Sequence, residues 1–150
     1  MKTPAAKRLL IGRGLIAGVV MLGVAAVNAA DLSSPAPEDA EVYFIEPQDE
    51  ARVATTFTVK FGLTGMGIAP AGINVDGTGH HHLLIDAAGL PDMTMPLPAS
   101  EQLVHFGKGQ TETQVTLPPG VHSLQLVLGN YLHVPHDPPV LSDRITVTVE

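Results

Sequence analysis

The chain has 150 residues, a formal net charge of −7, seven histidines and no cysteine. Disulfides and thiolate metal sites are therefore excluded, and the acidic balance argues against binding to nucleic acid or to anionic lipid surfaces. A chain of this length suits one domain with its own hydrophobic core.

Residues 1–29 have the pattern of a secretory signal peptide. An apolar run over residues 15–26 follows a short cationic segment and ends in small residues at Ala29. The cations of that segment are Lys2, Lys7, Arg8 and Arg13. Charged, apolar and small-residue regions in this order are typical of a cleaved leader. The alternative is a retained anchor, but the run is shorter than the about 20 residues of a membrane span. We expect a periplasmic or secreted protein with no membrane attachment after cleavage.

The rest of the chain predicts a tether followed by one β-domain. Residues 30–40 are small, acidic and proline-containing, which is typical of a flexible tether. Short β-rich runs separated by turn residues follow at 42–45, 57–63, 81–85, 103–106, 111–117, 121–128 and 144–149. No helical periodicity appears. Seven or eight short strands at this spacing predict an antiparallel, immunoglobulin-like β-sandwich over residues 41–150.

Three long loops interrupt these strands, at residues 64–79, 87–100 and 129–142. Loops of more than about 12 residues are usually functional or disordered. Two of them flank three consecutive histidines, and the third contains His133 and His136. The loops and the histidines therefore indicate the same region as a functional site.

The three consecutive histidines cannot all face one ion if they lie on a regular strand. His80 and His82 would share a face at a spacing of roughly 6.6 Å, because alternate residues point to the same side. His81 would share the face of Leu83 and Ile85, which is the expected core side. His81 is therefore interpreted as a supporting or structural hydrogen-bonding residue.

Two further histidines complete the predicted ligand set. His105 ends a short strand, and His122 begins the strand 121–128 on its leucine face. An imidazole at that position is either inserted in the mouth of the sandwich or hydrogen-bonded under a loop. The predicted metal ligands are His80, His82, His105 and His122, and the secondary candidates are His81, His133, His136, Met93 and Met95. The Met-x-Met pair is compatible with Cu(I), although loop packing is the alternative for both methionines.

Four sequence blocks carry a family resemblance. They are residues 79–86, 105–112, 117–126 and 133–139, and residues 65–72 also match. Together they resemble a bacterial exported family catalogued as domain of unknown function 4399, over nearly the whole chain after the leader. The resemblance implies an envelope domain of about this size, no established activity, and all seven histidines as candidates. It also implies an acidic residue where this chain has Asn130, so a site assisted by that acid would be weaker or different here.

The sequence supports three competing functions. The first is a periplasmic metal-binding or metal-handling protein, copper before zinc, with no organic cofactor and an affinity lost below about pH 6 as imidazoles protonate. The second is a metal-free interaction or ligand-binding module, with an envelope protein as a possible partner. The third is a metalloenzyme. We favour a binding protein over an enzyme, because the hydrolase elbow, the phosphate loop and the dinucleotide fingerprint are all absent.

Overall fold

The computed structural model describes residues 32–150, which form nine β-strands and no helix. The strands are β1 (Glu41–Glu46), β2 (Ala51–Val53), β3 (Thr56–Thr64), β4 (Gly67–Ile68), β5 (Thr78–Ile85), β6 (Leu103–His105), β7 (Glu112–Thr116), β8 (Gly120–Gly129) and β9 (Ile145–Val149). The predicted all-β class is confirmed. None of the described residues forms a helix long and apolar enough to cross a membrane. The predicted signal peptide lies outside the described residues.

The strands form two sheets. One has the order β1-β3-β7, and the other has the order β2-β9-β8-β5-β4, with β6 also paired to β5. The predicted antiparallel pairing holds for most strand pairs and is wrong for two, since β2 pairs with β9 and β4 with β5 in parallel. Both β2 and β4 were missed in the sequence, because three and two residues are too few to show an alternating pattern.

One hydrophobic core lies between the two sheets. Strand β3 buries Phe57, Val59 and Phe61, and β8 buries alternate leucines of the strand 120–129 against them. Alternation directs these residues to one side of each sheet and leaves the intervening residues for the other side. Fully burying a side chain of this size contributes about 1.5–3 kcal/mol, so this shared core holds the sheets together.

The opposite face of the larger sheet carries a second, smaller apolar cluster. In the register, His82 is paired with both Val127 and His105, and paired residues point to the same face. We call the apolar group on this face the outer cluster, which consists of Leu84, Leu97, Leu103 and Val127. Because Leu97 lies in the 87–100 loop, that loop folds over the sheet instead of extending into solvent.

The described part of the segment predicted as a tether contacts the domain. Pro35 forms a β-bridge with Asp137. The Ala36 amide donates to the Asp137 carbonyl at 3.2 Å, and the Asp137 amide donates to the Ser34 carbonyl at 3.0 Å. Backbone hydrogen bonds therefore attach residues 34–36 to the loop that follows β8.

Candidate metal centre

Four imidazole rings converge on the outer face of the larger sheet. The ring centroids of His80 and His82 are 4.8 Å apart, and His105 lies 5.0 Å from His80 and 5.1 Å from His82. The His133 ring is 4.6 Å from His105, 5.1 Å from His80 and 6.0 Å from His82. We call these four residues the histidine cluster.

Three of the rings can present nitrogens to a common point. One ring nitrogen each from His80, His82 and His105 lies within 4.8 Å of the other two, and among the described residues no acidic side chain belongs to this group. Zinc–imidazole bonds of about 2.0–2.1 Å place tetrahedral ligand nitrogens about 3.3 Å apart. Small ring rotations would bring the nitrogens to the tetrahedral separation, and His105 has the most room to rotate because it is exposed.

The strand register explains why these residues meet. His80 and His82 alternate with His81 along β5 and therefore point away from the core, as the spacing predicted. His105 is brought to them because β6 pairs with β5 and sets His105 directly opposite His82. That cross-strand register depends on a pairing between residues distant in sequence.

The buried rings of the cluster have no hydrogen-bond partners. His80 and His82 are fully buried, and within the described part of the chain none of their ring nitrogens makes a hydrogen bond. An unpaired buried polar group costs about 1–3 kcal/mol, so such groups are rare in folded proteins. A metal ion bound at one nitrogen of each ring would supply the missing partner.

The same environment keeps the two buried imidazoles, His80 and His82, neutral. Burial lowers the pKa of His80 to about 4 and that of His82 to about 3, and the neighbouring imidazoles lower both pKa values further. Burial, together with His133, also lowers the pKa of His105. Neutral imidazole is the metal-binding form. The buried pair would therefore keep free nitrogens well below pH 6, where the residue type alone predicted loss of binding.

Two glycines make room for the rings. A Cβ at Gly129 would lie 2.7 Å from Cε1 of His82, and a Cβ at Gly107 would lie 2.3 Å from Cε1 of His105. Any side chain at either position would force a ring to move. Nothing in the sequence indicated this role, because Gly107 has the pattern of a turn residue and Gly129 that of the first residue of a loop.

His81 lies on the core side of β5, as predicted. Its ring centroid is 4.6 Å from that of Phe61, and the side chain is fully buried. Burial lowers the His81 pKa to about 4, and the nearby backbone of Gly62 and Gln110 offsets part of this effect without forming hydrogen bonds to the ring. His81 is thus separated from the histidine cluster by the sheet itself.

The structure does not bring His122 to the other three predicted ligands. Its Nδ1 lies 2.6 Å from a carboxylate oxygen of Asp86 and its Nε2 lies 2.9 Å from the Pro118 carbonyl oxygen. Along β8, His122 is five residues, about 17 Å, from Val127, the partner of His82. The hydrogen bond to Asp86 raises the pKa of His122. Of the two positions foreseen for this residue, the hydrogen-bonded one is observed.

The structure also gives the positions of the remaining secondary candidates. His136 is buried, with Nε2 3.2 Å from the Thr78 carbonyl oxygen and Nδ1 3.4 Å from that of Leu128, so its nitrogens face backbone. Burial lowers its pKa. Met93 packs against the outer cluster, and Met95 is 47 % exposed. His133 is the one secondary candidate that joins the cluster.

Asn130 shapes the turn that carries the fourth imidazole. Its Oδ1 accepts from the amides of Leu132, at 2.9 Å, and Val134, at 3.1 Å. Its Nδ2 donates to the Leu32 carbonyl at 2.8 Å and to the Ser34 hydroxyl at 3.1 Å. A carboxylate could accept from the two amides but could not donate to the Leu32 carbonyl. The amide at this position therefore has a structural role in this chain.

Comparison with known proteins gives a family match. Residues 59–150 match the family described as Domain of unknown function (DUF4399). No curated protein matches the chain. The X-ray structure of the endo-beta-1,4-mannanase from Thermotoga petrophila is similar at a TM-score of 0.45 and 16 % identity, over 75 % of this chain and 20 % of the mannanase chain. This chain thus spans a small part of the mannanase, and the likeness is too distant to indicate a function.

Proposed function

The chain belongs to the DUF4399 family, and we propose that it binds a metal ion at His80, His82 and His105. The observation that carries this proposal is the pair of fully buried imidazoles, His80 and His82, whose four ring nitrogens have no hydrogen-bond partner among the described residues. A fold that only needed to fill this space would be more stable with apolar side chains there. Ion binding gives these imidazoles a role that justifies their cost in stability.

Copper is the first candidate ion and zinc the second. Imidazole nitrogen suits both metals, and divalent copper binds a given nitrogen site more tightly than divalent zinc. The chain has no cysteine, so no thiolate can favour zinc or Cu(I) at this site. Because His105 is exposed, the site is open to solvent on one side. An open side is what reversible metal handling requires.

We further propose that the domain is exported and immunoglobulin-like. Export is supported by the charged, apolar and small-residue order of residues 1–29. The immunoglobulin-like architecture is supported by the strand order, since β1-β3-β7 corresponds to strands A-B-E and β9-β8-β5 to strands G-F-C of that fold. N-terminal sequencing of the protein from the envelope fraction tests the proposed export, with Ala30 expected as the first residue.

Isothermal titration of the untagged, metal-free protein with Cu(II), Cu(I) and Zn(II) tests metal binding. We expect one ion per chain and a dissociation constant at least tenfold lower than that of a variant with alanine at His80, His82 and His105. Equal affinities of the wild type and the triple variant would contradict the proposed site.

The matched control for this experiment is His122→Gln. His122 has the same side chain as the three proposed ligands but is hydrogen-bonded to Asp86 on another part of the sheet. We expect its replacement to leave the stoichiometry and the affinity unchanged. A loss of binding in this variant would show that the ion is bound elsewhere or that general histidine content determines the affinity.

A further inference from the structure

We propose that His133 is a fourth, closing ligand that controls how fast the bound ion is exchanged. This inference rests on the proposed function, because it concerns the same ion. It extends that function by dividing the cluster into a fixed buried pair, His80 and His82, and an outer pair, His105 and His133, through which the ion enters and leaves.

The position of the His133 ring supports this role. It lies 4.6 Å from the His105 ring, 5.1 Å from the His80 ring and 6.0 Å from the His82 ring. Its nitrogens are not in the group of three that already lie within 4.8 Å of one another. His133 therefore needs a larger movement than the other three to reach the ion, which makes it the last ligand to bind and the first to leave.

The backbone around His133 presents its ring to the cluster. His133 has a φ of 67°, a left-handed conformation that is uncommon for a residue with a side chain. The turn is held because the His133 amide donates to the Asn130 carbonyl at 2.8 Å and the Leu97 amide donates to the His133 carbonyl at 2.9 Å. Backbone conformations of this kind cost about 1–3 kcal/mol and cluster at functional sites. Asn130 is thus a positioning residue for this ligand.

The difference in exposure between the two pairs defines the route of exchange. His80 and His82 are fully buried, His133 is half-buried and His105 is exposed. An ion arriving from solvent passes the outer pair on its way to the buried pair, and His133 then binds it last. An acceptor that offers its own nitrogen or sulfur ligands could displace His133 and His105 while the buried pair still holds the ion.

Stopped-flow release of Cu(II) and Zn(II) to excess EDTA tests the role of His133. We expect His133→Gly to bind the ion at least tenfold more weakly than the wild type and to release it at least tenfold faster. Glycine is used because it accepts a φ of 67° without strain, so the turn is kept while the imidazole is removed. A second variant, His133→Ala, should give the same result if the imidazole and not the turn is responsible. Circular dichroism of both metal-free variants checks that the fold is retained.

The outcomes separate this inference from the proposed function. If the wild type binds one ion and both His133 variants release it at the wild-type rate, His133 is not a ligand and the inference is overturned, although the three-histidine site stands. If the wild type binds no ion more tightly than the His80/His82/His105 triple alanine variant, the proposed function itself fails. Faster release from His133→Gly with unchanged release from His122→Gln supports the closing role.

Discussion

His81 and His82 show how much two adjacent residues of the same type can differ. Both are fully buried and neither ring makes a hydrogen bond within residues 32–150. His81 packs against Phe61 in the core, whereas His82 faces two other imidazoles 4.8 and 5.1 Å away. The alternation of a strand accounts for this difference, and the sequence alone was enough to predict it.

We predict that His82→Leu stabilises the metal-free protein and removes metal binding. Leucine fills similar space and eliminates two unpaired buried nitrogens, so the free energy of unfolding should rise by about 1–3 kcal/mol. Urea denaturation of the metal-free protein measures the stability, and calorimetric titration measures the binding. A less stable variant would mean that the His82 ring is satisfied by groups other than an ion.

The matched control for this prediction is His81→Leu. It should also stabilise the metal-free protein, because the same unpaired nitrogens are removed from the core. It should leave the affinity for the ion unchanged, since His81 is on the other face of β5. Loss of binding in His81→Leu would contradict the assignment of faces.

His122 should make a stabilising contribution with the opposite pH dependence from that of buried His80 and His82. The hydrogen bond to Asp86 raises the pKa of His122. Burial alone would raise the pKa of Asp86, but the hydrogen bonds from His122 and the Ser123 amide outweigh it, so the pKa of Asp86 is lowered. This contribution is fully present below about pH 6.5 and is lost as pH rises through the folded-state pKa of His122. The difference in melting temperature between wild type and His122→Gln should therefore shrink between pH 6 and pH 9. A difference in melting temperature that does not change with pH would contradict a charged His122–Asp86 pair.

At the scale of elements, the site is produced by the register between β5, β6 and β8. The sequence predicted that β5 would present His80 and His82 on one face, because that property is local to one strand. It could not predict that His105 lies opposite His82, because this depends on which strands pair. It misplaced His122 for the same reason, since the carboxylate that binds it, Asp86, is 36 residues away in the chain.

Gly107→Ala is predicted to weaken metal binding through the element that carries His105. The added methyl group would lie 2.3 Å from Cε1 and 2.6 Å from Nε2 of His105, so the ring must turn away from the cluster. We expect at least a tenfold loss of affinity with a change in melting temperature of only a few degrees, because His105 is exposed at the end of a short strand. Unchanged affinity in calorimetric titration would show that His105 is not a ligand in its observed position.

The whole molecule combines a conventional apolar core with a costly polar cluster on the other face of the same sheet. Composition and strand spacing were enough to predict the β-class. The two parallel strand pairs and the packing of the 87–100 and 129–142 loops over the sheet follow from long-range contacts, which no local pattern records. The histidine cluster lies beside these loops, so histidine content indicated this region of the chain, but the strand register that brings the rings together could not be predicted.

The metal-free protein should lose stability as the pH falls from about 6.5 to about 4. Histidines of the unfolded chain take up protons near pH 6.5, whereas burial holds the folded-state pKa of His80 and His81 near 4 and that of His82 near 3. The unfolded state then binds more protons, so each group lowers the free energy of unfolding by up to about 1.4 kcal/mol per pH unit. Urea denaturation at pH 7, 5.5 and 4.5 measures this slope. It should be shallower in the His81→Leu, His82→Leu double variant, and an equal slope would contradict the assignment.

X-ray absorption at the metal edge of protein loaded with one equivalent of Zn(II) or Cu(II) tests whether the buried histidines bind the ion. For zinc we predict three or four imidazole nitrogens at about 2.0–2.1 Å, with the outer-shell scattering of imidazole rings, and the loss of this signal in His82→Leu. A first shell of oxygen atoms without imidazole scattering, or an ion that does not remain with the protein through desalting, would contradict the claim that buried neutral histidines form a metal site.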